Sequence, residues 1–372
     1  MRLKRKSLNR LNYHSKNKRK IQKNILSWYD TFGRHDLPWK NRPIYEIWIS
    51  EIMLQQTQVK TVIPFFTKFI GKYPNLKKLI RADLDEILAS WAGLGYYRRA
   101  KNIYSACRVI EKKHNSEFPM NYFDIMQLPG IGRTTASAIS TFSNNGHYSI
   151  LDANVRRLLT RLYNISPLRN SESEKTLWHY SEDLLIKSRA SDFIQAYMDL
   201  GSTICKSNKP KCGECPLSKL CVTNINNLEK DHHALMKKPK KSIKQEKLWS
   251  LVVMDNHDNF YLEKISIGNL WSGLYSSPIF PSKAKLIEWA KSKNLTQFFT
   301  KEFCSFQHRL SHINFTIDAF LCNVDEDKKI SLIEDNWYNL SNITIGVPKY
   351  QNKIIDKFKD PGTLKELLSE IK

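Results

Sequence analysis

A five-residue run limits how two stretches of this chain can meet. Leu128-Pro129-Gly130-Ile131-Gly132 places a proline and two glycines between segments of helical pattern, Tyr122 to Gln127 and Arg133 to Phe142. Such a run reads as a tight hairpin joining two helices. Glycine at a bend lets another backbone, or a phosphate, approach where a Cβ would stand in the way. The free N–H groups then lie at the start of a helix whose dipole favours an anion, and Arg133 adds a formal charge there. That is a phosphate clamp. Further on, Ile150-Leu151-Asp152-Ala153-Asn154-Val155 delivers one carboxylate to the start of another helix, where Asp152 also suits an N-cap.

Upstream, Ile21, Ile25, Trp28 and Phe32 recur at helical spacing, and Leu37-Pro38-Trp39 ends that helix. The next helix is predicted over Tyr45 to Val59. Its apolar body is interrupted by Glu51, Gln55 and Gln56, the first two four apart and so on one face. A carboxyl among Ile49, Ile52 and Met53 is partly desolvated, which raises its pKa and suits it to acid work near neutral pH. Helical pattern continues through residues 61 to 120. Within it Gly93-Leu94-Gly95-Tyr96-Tyr97-Arg98-Arg99-Ala100 sets two aromatics and two arginines after a glycine-bracketed turn. An aromatic beside cations can wedge into a base stack while the arginines hold phosphates.

Cys205, Cys212, Cys215 and Cys221 are separated by six, two and five residues. Four thiolates in one loop suit zinc or an iron-sulfur cube equally well. They do not form a secreted disulfide framework with the scattered Cys107, Cys304 and Cys322, which favours a reducing interior. Lys and Arg outnumber Asp and Glu by 59 to 36, leaving a net charge of +23 that calls for a polyanionic partner. No segment supplies the ~20 apolar residues of a membrane span. The chain should be soluble, with no membrane partner.

At 372 residues two domains are expected. Residues 1–20 carry nine Lys or Arg and no acid, and read as a solvated basic tail; lacking an amphipathic period, they make a poor mitochondrial presequence. Residues 224–247 lose apolar period and read as a basic linker. Then Leu248 to Met254, a turn at 256–259, and Phe260 to Ile265 form a hairpin, Ile313 to Leu321 alternates as a strand, and Lys283 to Lys291 supplies a helix.

Together these motifs carry a resemblance. The hairpin followed by Leu151-Asp152 resembles the helix-hairpin-helix DNA glycosylases. Within them SEIMLQQTQV around Glu51 and GLGYYRRA around Tyr96 resemble the adenine DNA glycosylases of the MutY type. The C-x6-C-x2-C-x5-C run is similar to the [4Fe-4S] loop of the endonuclease III and MutY families. GNLWSGLYSSP at 268–278 resembles the MutT-like, Nudix-fold C-terminal domain of MutY, without the glutamate-rich metal-binding helix, so pyrophosphatase chemistry is not expected. Phe306 to His312 matches that family's recognition loop at Ser311 and His312, with Leu310 where Phe is usual.

The resemblance implies an all-α helix-hairpin-helix domain over 21–223, with its cluster loop at 205–221, and a Nudix-like α+β lesion-recognition domain over 248–372. It implies a monomeric, bacterial, cytoplasmic and nucleoid-associated enzyme that flips and removes adenine mispaired with 8-oxoguanine or guanine in duplex DNA. Glu51 would be the general acid, Asp152 would stabilise the sugar cation, and Asn154 would position the site. Gln55 and Gln56 would fill the flipped base's place, and Tyr96 would be the wedge. Arg99 and the hairpin residues Gly130, Gly132, Arg133 and Thr134 would contact DNA, and Ser311 and His312 the lesion. One [4Fe-4S] cluster would be held by Cys205, Cys212, Cys215 and Cys221. Endonuclease III shares the hairpin but is a lyase with a lysine nucleophile, at the position where this chain has Thr134. A lyase acting on damaged pyrimidines is therefore the weaker alternative. Retention of Glu51 and Asp152 argues against a non-catalytic scaffold, and the missing Nudix glutamates argue against a nucleotide hydrolase.

Overall fold

The computed structural model describes residues 2–143, 146–165, 171–228, 242–266, 270–295, 299–310, 313–324, 332, 336–339, 343 and 345–359. The chain forms two compact units, one of residues 1–81 with 105–240 and a second of residues 82–104 with 241–372. The division does not follow chain order, because 23 residues from the middle of the helical sequence belong with the C-terminal part.

The first unit is helical: α1 (Arg2–Phe32), α2 (Ile44–Leu54), α3 (Val59–Lys72) and α4 (Leu76–Arg81) precede the second unit's insertion. After α5 (Leu84–Ser90) and α6 (Arg98–Lys113) come α7 (Tyr122–Gln127), α8 (Arg133–Ser143), α9 (Ala153–Leu162), α10 (Ser171–Leu184), α11 (Ala190–Asp199) and the short α12 (Val222–Ile225). Ile21, Ile25 and Trp28 of α1 pack with Val155 and Leu159 of α9, Leu177 of α10, and Phe193 and Ile194 of α11. Their helical spacing is what put these positions on one buried face.

Two expectations change here. Residues 2–20 are not a solvated tail: they are the first part of α1, which is anchored well before Ile21. His14 is buried, its Nδ1 paired with the Tyr163 hydroxyl and its Nε2 with Asp183 Oδ2, each at 2.6 Å. Lys18 donates to the same Asp183, and Tyr13 donates its hydroxyl to the Leu220 carbonyl. A polar side chain made the anchor, so no apolar period announced it. Likewise the helix predicted to Val59 stops at Leu54, Gln55 caps it, and Gln56 takes a left-handed backbone with φ of 58°.

In the second unit β1 (Lys244–Asp255), β2 (Asn259–Tyr261), β5 (Ile279–Phe280), β6 (Phe299–Arg309), β7 (Ile313–Val324) and β8 (Trp337–Asn339) form one sheet, in the order β6-β7-β1-β2-β8 with β5 also on β1. β3 (Glu263–Lys264) and β4 (Tyr275–Ser276) pair separately. β1 and β2 are antiparallel across the expected turn, and Asp258 takes φ of 59° there. The central pairing is parallel, from Lys244↔Ile313 to Asp255↔Val324. The basic linker thus ends earlier than 247: Lys244 and Lys247 are already strand, and Lys247 Nζ lies 2.6 Å from Asp318 Oδ2 on β7. Residues 229–241 of that linker lie outside the described residues.

The apolar run Leu251 to Met254 is buried on both faces. Val252 and Met254 face Phe315, Ile317 and the helix α14 (Lys349–Phe358), whereas Leu251 and Val253 face Phe320, Cys322 and the helix α13 (Lys283–Ser292). Helices on both faces explain why this strand reads as continuous rather than alternating. α13 lies where the sequence placed a helix, and it has a single glutamate, Glu288.

Candidate active site

The hairpin forms as its glycines require. Asn121 caps α7 by accepting from Phe123 N at 2.8 Å, and the chain then turns through Gly130 at φ of 83° into α8. Gly132 is exposed, with no atom within 4 Å of where a Cβ would stand. The first N–H groups of α8 have no carbonyl of their own helix to bond, and Thr134 is half-buried beside them. The result is an open backbone surface of positive character. Arg133 does not add its charge freely to it: the guanidinium pairs with Glu182 and lies 3.8 Å over the Trp178 ring. Trp178 and Glu182, four residues apart on α10, present one face to the start of α8.

Gln55 ties α2 to this hairpin, donating from Nε2 to the Gly130 carbonyl at 3.2 Å and to Thr135 Oγ1 at 3.3 Å. Gln56 is exposed. One turn earlier, Glu51 stands among buried Ile47, Ile52 and Met53. Burial pushes its carboxyl up to about 8, and the charge of Asp152 adds to the effect. The two carboxyls are therefore near enough to sense each other, and Glu51 is a protonated acid at neutral pH.

Asp152 has two jobs. Its Oδ1 accepts from Val155 N at 2.7 Å and so caps α9, while Oδ2 accepts from Asn154 Nδ2 at 2.9 Å. Burial raises its pKa, opposed by the Val155 and Asn154 hydrogen bonds and by Arg157. The cap and the Asn154 bond fix the carboxylate's orientation, so the helix start is also the positioning device.

Residues the sequence did not single out complete the support. Arg157 Nη2 donates to Asn154 Oδ1 at 2.9 Å, Arg157 also reaches the Gly201 carbonyl, and its Nε reaches the Cys205 carbonyl at 2.7 Å. Burial lowers the Arg157 pKa, with Cys205 and Asp152 opposing. Gly201 lies in a π-helical turn, Leu200–Ile204, and a Cβ there would lie 2.6 Å from Asn154 Cβ. Just before it, buried Asp199 accepts from Arg34 Nε at 2.8 Å and from Gln195 Nε2 at 2.8 Å. The available signal was Arg157 and Arg161, four apart on the helix that Asp152 opens.

Arg161 donates to Cys205 Sγ at 3.4 Å and to the Lys206 carbonyl at 2.7 Å. All four cysteines of the loop line one apolar pocket, shared with Leu158, Leu162, Ile204 and Leu217. Among the described residues no three His, Cys, Asp or Glu side chains are grouped closely enough to share one metal ion. Four cysteine sulfurs on one apolar pocket are the donor chemistry that a thiolate-bound metal group would take.

The other predicted residues belong to the second unit. Tyr96 is exposed and left-handed at φ of 51°. Arg99 is not exposed to a phosphate as expected: it is 6% accessible, donates to the Gly95 carbonyl at 3.1 Å, and lies 5.5 Å over Trp91 and 5.4 Å over Tyr96. Its guanidinium staples the turn that presents Tyr96, and burial brings its pKa down to about 10. Ser311 and His312 lie outside the described residues; of their neighbours, Leu310 N donates to the Ile313 carbonyl at 2.8 Å.

This geometry has known counterparts. Residues 49–182 match the HhH-GPD superfamily of base excision DNA repair proteins, which sets the class of the helical fold. A solved structure of a thermostable thymine-DNA glycosylase aligns with a TM-score of 0.53 and 30% identity, over 57% of this chain and 99% of that one. A non-covalent endonuclease III–DNA complex aligns at 0.50 with 23% identity, over 56% and 96%; it shows the fold. The adenine DNA glycosylase of Buchnera aphidicola subsp. Acyrthosiphon pisum (strain APS) is 41% identical over 346 residues, covering 90% of this chain and 96% of that protein. The chain belongs to the adenine DNA glycosylase family. Among the described residues no helix is long and apolar enough to cross a membrane.

Proposed function

We propose that this chain is a base-excision glycosylase that removes adenine mispaired with 8-oxoguanine or guanine in duplex DNA. The observation that carries the reading is the Glu51–Asp152 pair, one carboxyl held neutral and the other oriented at a helix start. Adenine inside a duplex is out of reach, so it is flipped out, at a cost that mispairing reduces. Glu51 protonates adenine N7, which makes the base a better leaving group. The glycosidic bond breaks through an oxocarbenium-like sugar, and Asp152 stabilises or briefly traps that cation at C1′ until water adds there and gives up a proton, leaving free adenine and an abasic sugar. Asn154, held by Arg157, keeps Asp152 in place. The hairpin N–H groups grip a phosphate, and Gln55 and Gln56 occupy the space that the flipped base leaves.

Cys205, Cys212, Cys215 and Cys221 would hold one [4Fe-4S] cluster, whose contribution is to set the shape and charge of a loop carrying Lys206, Lys209 and Lys211. The sheet of the second unit is read as a MutT-like module without hydrolase chemistry, and Ser311 and His312 as donors to 8-oxoguanine. Thr134 at the lyase lysine position makes the reaction monofunctional.

The test is single-turnover cleavage of one duplex with adenine opposite 8-oxoguanine, analysed with and without alkali. Strand breaks after alkali alone are expected. Breaks without alkali would restore the lyase reading, and tight binding with no product would leave a scaffold. Absorbance of an iron-sulfur chromophore with four irons per chain is expected of the purified protein; stoichiometric zinc in a colourless protein would refute the cluster.

A further inference from the structure

Within the second unit, the segment that presents Tyr96 is fastened to the β3–β4 pair on both sides of the tyrosine. α5 begins with a capping box: Asp83 Oδ1 accepts from Glu86 N at 2.7 Å, and Glu86 Oε2 accepts from Asp83 N at 3.1 Å. Asp83 and Glu86 are occupied with the cap. Asp85, between them, instead meets the sheet side. Lys264 Nζ lies 2.8 Å from its Oδ1 and 2.6 Å from its Oδ2, and the Tyr275 hydroxyl donates to Oδ2 at 3.1 Å. Lys264 and Tyr275 are cross-strand partners, so the two donors arrive as a pair. After the tyrosine, Lys101 Nζ donates to Ser272 Oγ at 3.2 Å.

Backbone closes the same contact. A Cβ on Gly346 would lie 3.0 Å from the Leu88 carbonyl carbon, and Gly346 O accepts from Tyr275 N at 2.8 Å. Gly273, at φ of 82°, has Leu88 Cδ1 3.4 Å from its Cβ position. Trp271, itself left-handed at φ of 62°, packs its ring 5.8 Å from His308 and 4.7 Å from Tyr350. His308 is on β6, three residues before Ser311. On the other side Trp91 is fully buried, and its Nε1 donates to the Gly95 carbonyl at 3.2 Å, next to Tyr96.

We propose that Asp85 is a positioning residue for lesion discrimination: through Lys264 and Tyr275 it fixes the Tyr96 turn to the β3–β4 pair. Contact of the sheet with the base opposite adenine is thereby converted into placement of the wedge. The inference rests on the proposed function, and it adds residues to which that reading assigns no role. The ion pair is partly exposed and worth little to folding, which makes its functional effect separable from stability.

The test measures single-turnover adenine release at saturating enzyme from two duplexes, with 8-oxoguanine or guanine opposite adenine. It compares the full-length protein with Asp85→Ala, Lys264→Asp and the charge-swapped pair Asp85→Lys with Lys264→Asp, each checked for an unchanged melting temperature. Asp85→Ala and Lys264→Asp should each lower the 8-oxoguanine to guanine rate ratio about fivefold, a size typical of coupling mutations. The swapped pair should recover most of it. A purely structural contact would shift both rates together. A ratio unchanged in Asp85→Ala, or one that the swap leaves as low as either single change, overturns the inference while the glycosylase reading stands. If the unaltered protein releases no adenine, or shows no preference for 8-oxoguanine, the functional reading itself fails, and this inference with it.

Discussion

Glu51 shows how one side chain's surroundings set both chemistry and stability. Because burial raises its pKa from 4.5 to about 8, the folded chain keeps a proton that the unfolded chain gives up between those values. Stability therefore falls as pH rises from 4.5 toward 8 and levels off beyond. Glu51→Gln removes the dependence, so its melting temperature should gain on the parent's as pH is raised from acid to mildly alkaline; a constant gap would show the carboxyl is not held neutral. The same substitution should slow adenine release by ~10²-fold or more, as loss of a general acid does. Release by the parent should decline above pH about 8. Glu51 was legible in the sequence through the resemblance that SEIMLQQTQV carries; a lone carboxyl in an apolar helix more often borders solvent, and it is burial that raises the pKa of this one. Arg99 was misread because composition cannot separate a guanidinium facing phosphate from one turned onto Trp91 and the Gly95 carbonyl. Tyr96 adds a second lesson: a bulky side chain at φ of 51° is strained. Tyr96→Gly should leave the melting temperature unchanged or higher while lowering release opposite 8-oxoguanine. A lower melting temperature would make the ring a packing group instead.

At the scale of elements, helix spacing and the hairpin were legible, whereas helix ends and polar anchors were not. The end of α7 could be read because Pro129 and Gly130 are local signals. The end of α2 could not, because what stops it is Gln55 reaching the carbonyl of Gly130, 75 residues away. The docking of α1 through His14 and the parallel β1–β7 pairing depend on partners just as remote. The π turn at Leu200–Ile204 is the clearest case: nothing in LGSTI marks it, yet it brings Gly201 against Asn154. Gly201→Ala forces a methyl to 2.6 Å from Asn154 Cβ and 2.9 Å from its backbone. Overpacking of this kind costs about 1–3 kcal/mol. The variant should melt lower and release adenine more slowly, with the salt dependence of DNA binding unaltered. Normal release in a stably folded variant would detach the π turn from the positioning of Asp152.

For the whole molecule, the net charge of +23 sets how it meets DNA, while the chemistry is buried. Those two facts give separable salt responses. Each phosphate neutralised releases counterions, so log affinity falls with log salt at about 0.9 per contact; ~6 contacts lose about 10³-fold between ~50 and ~200 mM. In the proposed reaction Glu51 and Asp152 would act on a base already extruded, and buried charges are screened far less than exposed ones. Titrating salt should therefore give a steep log–log line for duplex affinity and a nearly flat single-turnover rate at saturating enzyme. Parallel decline of both would mean that screened surface charge takes part in the bond-breaking step, and the Glu51–Asp152 pair could not then account for the rate alone. A shallow affinity line would mean that most of the excess charge faces solvent, leaving the grip to the neutral N–H groups of the hairpin.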